Sequence, residues 1–220
     1  MTWRLPMSDS SRNNPGALGA MDVEVEHEET LYQGFFSLKA FRFRHRLFAG
    51  GWSQTLTREL LERGHAAALL PYDPVRDQVV LVEQFRIGAL AGDCQPWQLE
   101  IVAGIIEPGE NAEEVVSREA VEEAGIQVDQ LAHITRYLSS SGGCSETLSV
   151  YAGCVDSRLA AGIHGLEDEG EDIKVHVVSR EEAYDWVVSG KIENAASIIA
   201  LQWLQLHYHQ LQADWVKDKL

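Results

Sequence analysis

Hydrophobic and polar residues alternate along the N-terminal part of the chain, from about Asp22 to Leu61. The segments VEVEHEETLY, FSLKAFRFRHRLF and SQTLTREL mix apolar residues with charges at roughly every second position, as half-exposed strands do. Gly34 and the Gly50-Gly51 pair separate these segments, which predicts an antiparallel meander. Residues 1–21 are polar, rich in turn-forming residues and without periodicity, so we expect a mobile tail there.

Short apolar runs replace this alternation in the middle of the chain. AAALLPY and VVLVEQF flank the turn-forming Asp73-Pro74 and are typical of two buried strands in a hairpin, and WQLEIVAG predicts a further strand. A helix should begin after Asn111, because Asn111 and Glu114 have the spacing of a capping box. Small and apolar residues then recur at helical spacing until Gly125, which we expect to end the helix.

The rest of the chain predicts more strands and then two helices. HITRYLS, ETLSVYAGCV and DIKVHVVS read as strands, EEAYDWVVSG as a short helix, and the segment from Asn194 towards Asp218 as a longer one. We therefore expect an α/β fold, with a mixed β-sheet between helices in an α/β/α sandwich and an N-terminal antiparallel β element. The predicted organisation is a tail (1–21), the β element (22–61) and the main domain (62–220).

Composition adds limits on function. The chain has 18 basic and 34 acidic residues and a net charge of −16, which argues against binding to nucleic acids or anionic membranes and suits a protein that binds metal cations. No apolar run approaches the length of a spanning helix, and the start of the chain does not resemble a signal peptide, so we expect a cytoplasmic protein. Its three cysteines, Cys94, Cys144 and Cys154, have no zinc-site spacing and predict unpaired thiols.

The candidate chemistry lies on the helix that begins after Asn111. Glu119, Glu122 and Glu123 would share an arc of about 100° on this helix. Like charges at this spacing repel one another, so the arrangement is mildly unfavourable unless a cation binds there, and hard divalent cations prefer such oxygens. An unpatterned acidic helix face would more often be a solvated surface.

The surrounding segment, Gly104 to Ile126, resembles the Nudix box, G-x5-E-x7-R-E-U-x-E-E-x-G-U, where U is an apolar residue. The chain matches every defined position, with Gly104, Glu110, Arg118, Glu119, Ala120, Glu122, Glu123, Gly125 and Ile126. The resemblance implies a Nudix hydrolase that cleaves a nucleoside diphosphate linked to another group, with two or three Mg²⁺ ions per site and Mn²⁺ as a substitute. It also assigns roles: Glu119, Glu123 and the carbonyl of Ala103 as metal ligands, Glu122 as a further or supporting ligand, Arg118 as the orienting residue and Glu110 as a buttress.

A second acidic cluster, Glu167 to Asp172, is interrupted only by Gly170. On composition alone it predicts a flexible charged turn, and it lacks the spacing of a calcium loop. It resembles, however, the loop that supplies the general base and one more metal ligand in the ADP-ribose pyrophosphatases of the Nudix family. That resemblance implies Glu169 as the base and Glu171 as the ligand.

The resemblance to bacterial ADP-ribose pyrophosphatases extends from ETLYQGFFSL to NAASIIALQWLQL. It implies ADP-ribose as substrate and a homodimer whose subunits exchange N-terminal strands, so that both chains build each site. The implied substrate-binding residues are Phe35, Phe36, Arg58, Glu59, Arg63, Arg86, Ile105, Ser140, Ser141, Gly142 and Glu146.

Several of these residues also have simpler interpretations. Phe35 and Phe36 could be strand core, the arginines of FRFRHR a solvated strand face, and the Ser139–Gly143 run an ordinary linker. Arg86 is better supported, because a guanidinium at the end of a strand can bind phosphate through two hydrogen bonds.

The function implied is therefore Mg²⁺-dependent hydrolysis of ADP-ribose to AMP and ribose 5-phosphate. Two alternatives remain open. One is hydrolysis of a different nucleoside diphosphate sugar, and the other is a non-catalytic regulator that binds a nucleotide metabolite. The intact box, the charge of −16 and the lack of a basic helix-turn-helix segment disfavour the regulator.

Overall fold

The computed structural model describes residues 18–217, except for the side chains of Glu169 and Lys217. The chain divides into two compact units. The first contains the chain up to His65 together with Leu138–Thr147, and the second contains Ala66–Tyr137 and Leu148 onward. Most of the predicted tail, residues 1–17, lies outside the described residues, and the domain boundaries drawn from the sequence stay predictions.

The first unit contains an antiparallel three-stranded sheet of β1 (Val23–Gln33), β2 (Ser37–His45) and β3 (Leu56–Glu62), in that order. This is the predicted meander. Strand β1 is exposed along its whole length. Arg42 and Arg44 pair across the sheet with Glu26 and Glu24, and Arg46 lies over an indole ring, so these arginines form a strand face of ion pairs and ring contacts.

The second unit contains a mixed sheet whose strands are β4 (Ala66–Asp73), β5 (Gln78–Phe85), β6 (Trp97–Glu100), β7 (Val102–Ile105), β8 (Gln130–Leu138), β9 (Thr147–Cys154), β10 (Ile163–His164) and β11 (Ile173–Ser179). The strand order is β10-β11-β5-β4-β9-β8, in which β4 and β9 are parallel. Strands β4 and β5 pair only at their hairpin end and then diverge; β6 runs along β5, and β7 along β4. The sequence predicted one strand over 97–104, whereas the chain breaks at Ile101 because it changes partner there.

Helices cover both faces of this sheet. They are α1 (Ile87–Ala91), α2 (Ala112–Ala124), α3 (Arg180–Val188) and α4 (Ala195–Lys217). Successive residues of β4 point to opposite faces: Leu70 and Tyr72 pack with α3 and α4, and Leu69 packs with α2. A strand covered on both sides is apolar at nearly every position, which explains why all of β4 is buried. The predicted α/β/α sandwich is therefore present.

The ends of α2 confirm the sequence prediction. The side chain of Asn111 accepts hydrogen bonds from the backbone N–H groups of Glu113 and Glu114, and the Glu114 carboxylate accepts one from the N–H of Asn111. Gly125 ends the helix with a φ of 66°, a left-handed conformation that favours glycine. Helix α1 was not predicted. Within residues 18–217, no helix has the length and apolar character needed to cross a membrane.

A buried ion pair joins α3 to the β4–β5 hairpin. Arg180, whose side chain is 4% exposed, donates two hydrogen bonds of 2.9 Å to the two carboxylate oxygens of Asp77. The guanidinium also lies 3.7 Å from the ring centre of Tyr208 on α4. These contacts join α3, α4 and the β4–β5 hairpin.

Candidate functional site

The loop between β7 and α2 brings the glutamates of the helix against the end of the sheet. Gly104 lies against the Glu119 side chain so closely that a Cβ at position 104 would collide with the carboxylate. The preceding residue, Ala103, donates its backbone N–H to Oε2 of Glu123 over 3.1 Å. Glycine at position 104 is thus required because two side chains of the helix approach this backbone directly.

Glu123 is the most buried of these acids, with 3% of its surface exposed. Its second carboxylate oxygen accepts a hydrogen bond of 3.4 Å from Nε2 of Gln84 on β5. Within the described part of the chain, no lysine or arginine forms an ion pair with Glu123. A buried carboxylate held only by neutral donors is costly, and it is suited to a bound cation.

Arg118 organises the more exposed acids of α2. Its Nη1 donates to Oε1 of Glu119 and to Oε2 of Glu122, both over 2.9 Å, while its Nε lies 3.4 Å from Oε1 of Glu110. The other oxygen of Glu110 accepts the N–H of Glu107 in the loop. Arg118 thus contacts three acids of the segment, and its orienting role and the buttressing role of Glu110 stay predictions.

The second acidic cluster folds into a short 3-10 turn, Glu167–Glu169, and not into an extended loop. Glu171 follows it, and its Oε2 accepts the backbone N–H of Leu166 over 3.0 Å. Gly165, at a φ of +104°, lies against Glu171, and its N–H donates to the carbonyl of Glu122 on α2 over 3.3 Å. The side chain of Glu169 lies outside the described residues, so its predicted role as base stays a prediction.

Glu119, Glu123 and Glu171, here called the carboxylate cluster, affect one another electrostatically. Burial raises the pKa of Glu119 to about 7, against the lowering effect of Arg118. Burial also raises the pKa of Glu123 to about 8, and the hydrogen bond from Ala103 opposes this. The charge of Glu171 also raises the pKa of both residues. The contact of Gly165 with Glu122 brings the loop of Glu171 next to α2, although it is distant in sequence.

The carboxylate cluster supplies the donors that a hard divalent cation requires. Its carboxylate oxygens carry negative charge. One member, Glu123, is buried without a cationic partner among residues 18–217. As placed, no three His, Cys, Asp or Glu side chains of the described residues converge on a single point that could hold a metal ion. Each carboxylate accepts a hydrogen bond, from Arg118, Ala103 or Leu166. The donor chemistry fits Mg²⁺.

Arg86 follows β5, two residues after Gln84, which contacts Glu123, and its charge lowers the pKa of Glu123. Its guanidinium is 43% exposed and is held by Glu100 through contacts of 2.8 and 2.9 Å. Ile105, the last residue of β7, is half-buried beside Gly104. Of the predicted substrate-binding residues, these two belong to the second unit together with the metal-binding candidates.

The other predicted substrate-binding residues belong to the first unit, where the structure brings three of them together. Arg63 lies over the ring of Phe36 at 5.2 Å, and its Nε is 3.2 Å from Oε1 of the buried Glu146. Phe35 is 86% exposed in the turn between β1 and β2, so the interpretation of Phe35 as strand core is wrong.

The remaining predicted residues of the first unit are exposed. Arg58 and Glu59 are neighbours on β3 and therefore point to opposite faces of the sheet. Ser140, Ser141 and Gly142 form a tight turn in which the carbonyl of Ser140 accepts the N–H groups of the two residues after Gly142. The Ser139–Gly143 run is thus a defined turn.

Sequence reasoning did not select Gln84, Glu100 and Asn194, which contact the predicted site residues. Gln84 donates to Glu123, and Asn194 donates to Glu100, which in turn holds Arg86. A signal was present for Glu100, because an acidic residue inside the apolar run WQLEIVAG would be unfavourable in a buried strand without a basic partner.

Comparisons with known proteins identify the family. The NUDIX domain profile matches residues 62–203. The chain is 59% identical over 203 residues to a protein named ADP-ribose pyrophosphatase from Escherichia coli (strain K12), covering 92% of this chain and 97% of that protein. It is 51% identical over 219 residues to a protein of the same name from Haemophilus influenzae, covering 98% and 99%.

A solved structure described as an ADP compounds hydrolase has a similar fold. It aligns with a TM-score of 0.63 over 86% of this chain and 96% of its own. Its sequence identity is 18%, so this similarity bears on the fold alone.

Proposed function

We propose that this chain, which belongs to the NUDIX domain family, hydrolyses the pyrophosphate of ADP-ribose to AMP and ribose 5-phosphate with the help of Mg²⁺. The carboxylate cluster is the observation that carries the proposal. It combines a buried Glu123, a Glu119 oriented by Arg118, and a Glu171 contributed by a separate loop. Relatives that share most of the sequence are named for this activity, which supports the choice of substrate.

The reaction places the negatively charged pyrophosphate next to the negatively charged carboxylate cluster. Glu119, Glu123, Glu171 and the carbonyl of Ala103 would hold divalent ions, which neutralise the pyrophosphate and lower the pKa of bound water. Glu122 shares the Nη1 of Arg118 with Glu119, which keeps the Glu119 carboxylate facing Gly104. The neutral donors around Glu123 leave its charge available to a cation.

Water supplies the new oxygen atom in the proposed reaction. Its oxygen forms a bond to one phosphorus, the bond from that phosphorus to the bridging oxygen breaks, and the bridging oxygen leaves on the other phosphate. Glu169 accepts the proton of the attacking water, as the resemblance of its loop implies. Arg86 binds the pyrophosphate through the N–H groups that Glu100 does not use.

Residues of the first unit would bind the rest of the substrate. We assign Phe35 and Phe36 to the base, Arg58, Glu59 and Arg63 to the ribose and phosphate, and Ser140, Ser141, Gly142 and Glu146 to the terminal ribose. The exposed ring of Phe35 favours stacking on a base. The buried carboxylate of Glu146, held by Arg63, favours binding of a sugar hydroxyl.

We also propose a homodimer that exchanges N-terminal strands. Strand β1 is exposed along its length and includes Val25 at 58% and Tyr32 at 64% exposure. A three-stranded sheet with apolar residues on an open strand gains stability when a second chain covers it. Sedimentation as an active monomer at micromolar concentration would contradict this. The predicted absence of nucleic-acid partners and the cytoplasmic location stay predictions.

The function is tested by incubating the protein with ADP-ribose, with Mg²⁺ or with EDTA, and separating the products by chromatography beside other nucleoside diphosphate sugars. We expect AMP and ribose 5-phosphate only with Mg²⁺, formed fastest from ADP-ribose. Faster cleavage of another nucleoside diphosphate sugar would replace the substrate but keep the reaction. Binding of ADP-ribose without cleavage of any substrate would favour a regulator.

A further inference from the structure

We infer that Glu100 and Asn194 are positioning residues for Arg86, and that they set the affinity of the enzyme for the pyrophosphate group. The inference rests on the proposed function, because it concerns the anion that Arg86 binds. It deepens that function by connecting substrate binding to the start of the C-terminal helix α4.

Glu100 holds one edge of the Arg86 guanidinium. Nε and Nη2 of Arg86 both contact Oε2 of Glu100, at 2.9 and 2.8 Å, and the Glu100 side chain is 7% exposed while that of Arg86 is 43% exposed. Glu100 also lies on β6, paired with Val82 of β5, and the backbone N–H of Arg86 donates to the carbonyl of Pro96 over 2.7 Å. The contacts therefore leave the Nη1 group and one Nη2 hydrogen free to bind an anion.

Asn194 fixes the carboxylate of Glu100. Its Nδ2 donates to Oε1 of Glu100 over 3.0 Å, so both oxygens of that buried carboxylate are occupied. The amide orientation of Asn194 is determined by its partners, because the carboxylate can only accept and the N–H of Ser197 can only donate. Oδ1 of Asn194 accepts this N–H at the first turn of α4, which is the pattern of an N-cap.

Ser197 completes the connection between the helix and the sheet. Its hydroxyl donates to Oδ1 of Asn194 over 3.1 Å and accepts the backbone N–H of Ile101 over 3.0 Å. Ile101 lies where the chain leaves β6 for β7, and Ser197 is fully buried. The chain of hydrogen bonds from Ile101 to Arg86 thus runs through the buried Ser197 and Glu100 and the half-buried Asn194 to the exposed Arg86, which is the arrangement of a preorganised binding group.

The inference is tested with the variant Glu100→Gln, which keeps the volume and removes the charge. We expect the KM for ADP-ribose to rise about tenfold, because a charged hydrogen bond to Arg86 is lost, while kcat changes less than about threefold. In the Arg86→Ala background the same change should alter KM by less than about twofold. Equal effects of Glu100→Gln in both backgrounds would overturn the inference, because Glu100 would then act independently of Arg86.

Two further variants separate positioning from general stability. Asn194→Ser retains an N-cap acceptor but is too short to reach Glu100, and it should raise KM about threefold. Glu83→Gln is the matched control, since Glu83 lies on the adjoining strand and pairs with His176 without contacting Arg86. We expect an unchanged KM for this control. A fall in thermal stability of Glu100→Gln without a rise in KM would indicate a merely structural residue and would also overturn the inference.

The positioning role can be wrong while the proposed function is correct, and the proposed function can be wrong while the positioning role is correct. If the unmodified enzyme hydrolyses ADP-ribose and Glu100→Gln has the same KM, only the positioning role is wrong. If the unmodified protein does not hydrolyse ADP-ribose, the proposed function is wrong, and calorimetric titration with inorganic pyrophosphate tests the positioning role alone. An affinity about tenfold weaker in Glu100→Gln would then support the role, and an equal affinity would refute it.

Discussion

Replacing Glu123 by glutamine should make the metal-free protein more stable and the enzyme far less active. Glu123 is 3% exposed, and burial raises its pKa to about 8 from an ordinary value of 4.5. Between these pH values the folded protein retains a proton that the unfolded chain has released. The folded state therefore loses stability as the pH rises from about 4.5 to about 8, and the neutral glutamine removes this dependence.

The size of the effect follows from the pKa and the local contacts. A shift of this size in one isolated group would correspond to at most about 5 kcal/mol above pH 8. Glu119 shares the charge repulsion, and the glutamine amide would face the Nε2 donor of Gln84, so part of the gain is lost. We expect a net gain of about 2 kcal/mol, or roughly 5 °C in the unfolding temperature at pH 9 in EDTA.

Thermal unfolding at pH 5 and pH 9, with EDTA and with Mg²⁺, measures the stability. At pH 5 the variant should unfold near the temperature of the unmodified protein, and Mg²⁺ should stabilise the variant less at pH 9. Turnover of ADP-ribose at saturating Mg²⁺ should fall by about 10²-fold or more, because a charged ligand is lost. The control is Glu113→Gln, an exposed acid of the same helix whose carboxylate is not part of the capping box.

Two results would refute this reasoning. If Glu123→Gln were no more stable than the unmodified protein at pH 9 in EDTA, the carboxylate would not be a source of electrostatic strain. If turnover at saturating Mg²⁺ were near normal, Glu123 would not be a principal metal ligand.

Three further predictions follow from the same contacts. Gly104→Ala places a Cβ against a carboxylate of the cluster and should lower kcat at least about 100-fold in a steady-state assay while the circular dichroism spectrum is retained. Glu169→Gln should slow the chemical step, whereas the matched Glu167→Gln should not; recovery of the Glu169→Gln rate in excess Mg²⁺ would assign it to metal binding instead. Asp77→Ala removes the carboxylate that accepts hydrogen bonds from the buried Arg180 and leaves Glu181, at 3.6 Å, as its acidic neighbour; it should cost about 3 kcal/mol in urea unfolding, and a cost below about 1 kcal/mol would contradict the importance of the Asp77–Arg180 pair.

The local residue pattern was sufficient to predict most strands and the helix α2, which carries the candidate metal ligands. The capping box at Asn111, the stop at Gly125 and the shared face of Glu119 and Glu123 depend on contacts between residues a few positions apart, so the sequence contains them completely. The same is true of β4, where an unbroken apolar run predicts a strand covered on both faces. These parts of the fold were predicted correctly.

Pairings between segments that are distant in sequence could not be predicted from the local residue pattern. The break at Ile101 arises because the chain leaves β5 for β4, and nothing within the run WQLEIVAG marks a change of partner. The contacts of Gln84 with Glu123 and of Asn194 with Glu100 could not be predicted either, because glutamine and asparagine are too common in proteins to indicate a partner by themselves.

The sequence by itself determined the fold class, the principal helix and the residue types of the metal-binding chemistry, because each depends on short-range spacing and on the composition of a single segment. Only the tertiary structure decided that Glu171 joins the carboxylate cluster, that burial raises the pKa of Glu123, and that Glu100 orients Arg86. The physical reason is that desolvation and Coulomb interactions depend on distance in space, and chain packing brings these groups together across intervals that no local pattern spans.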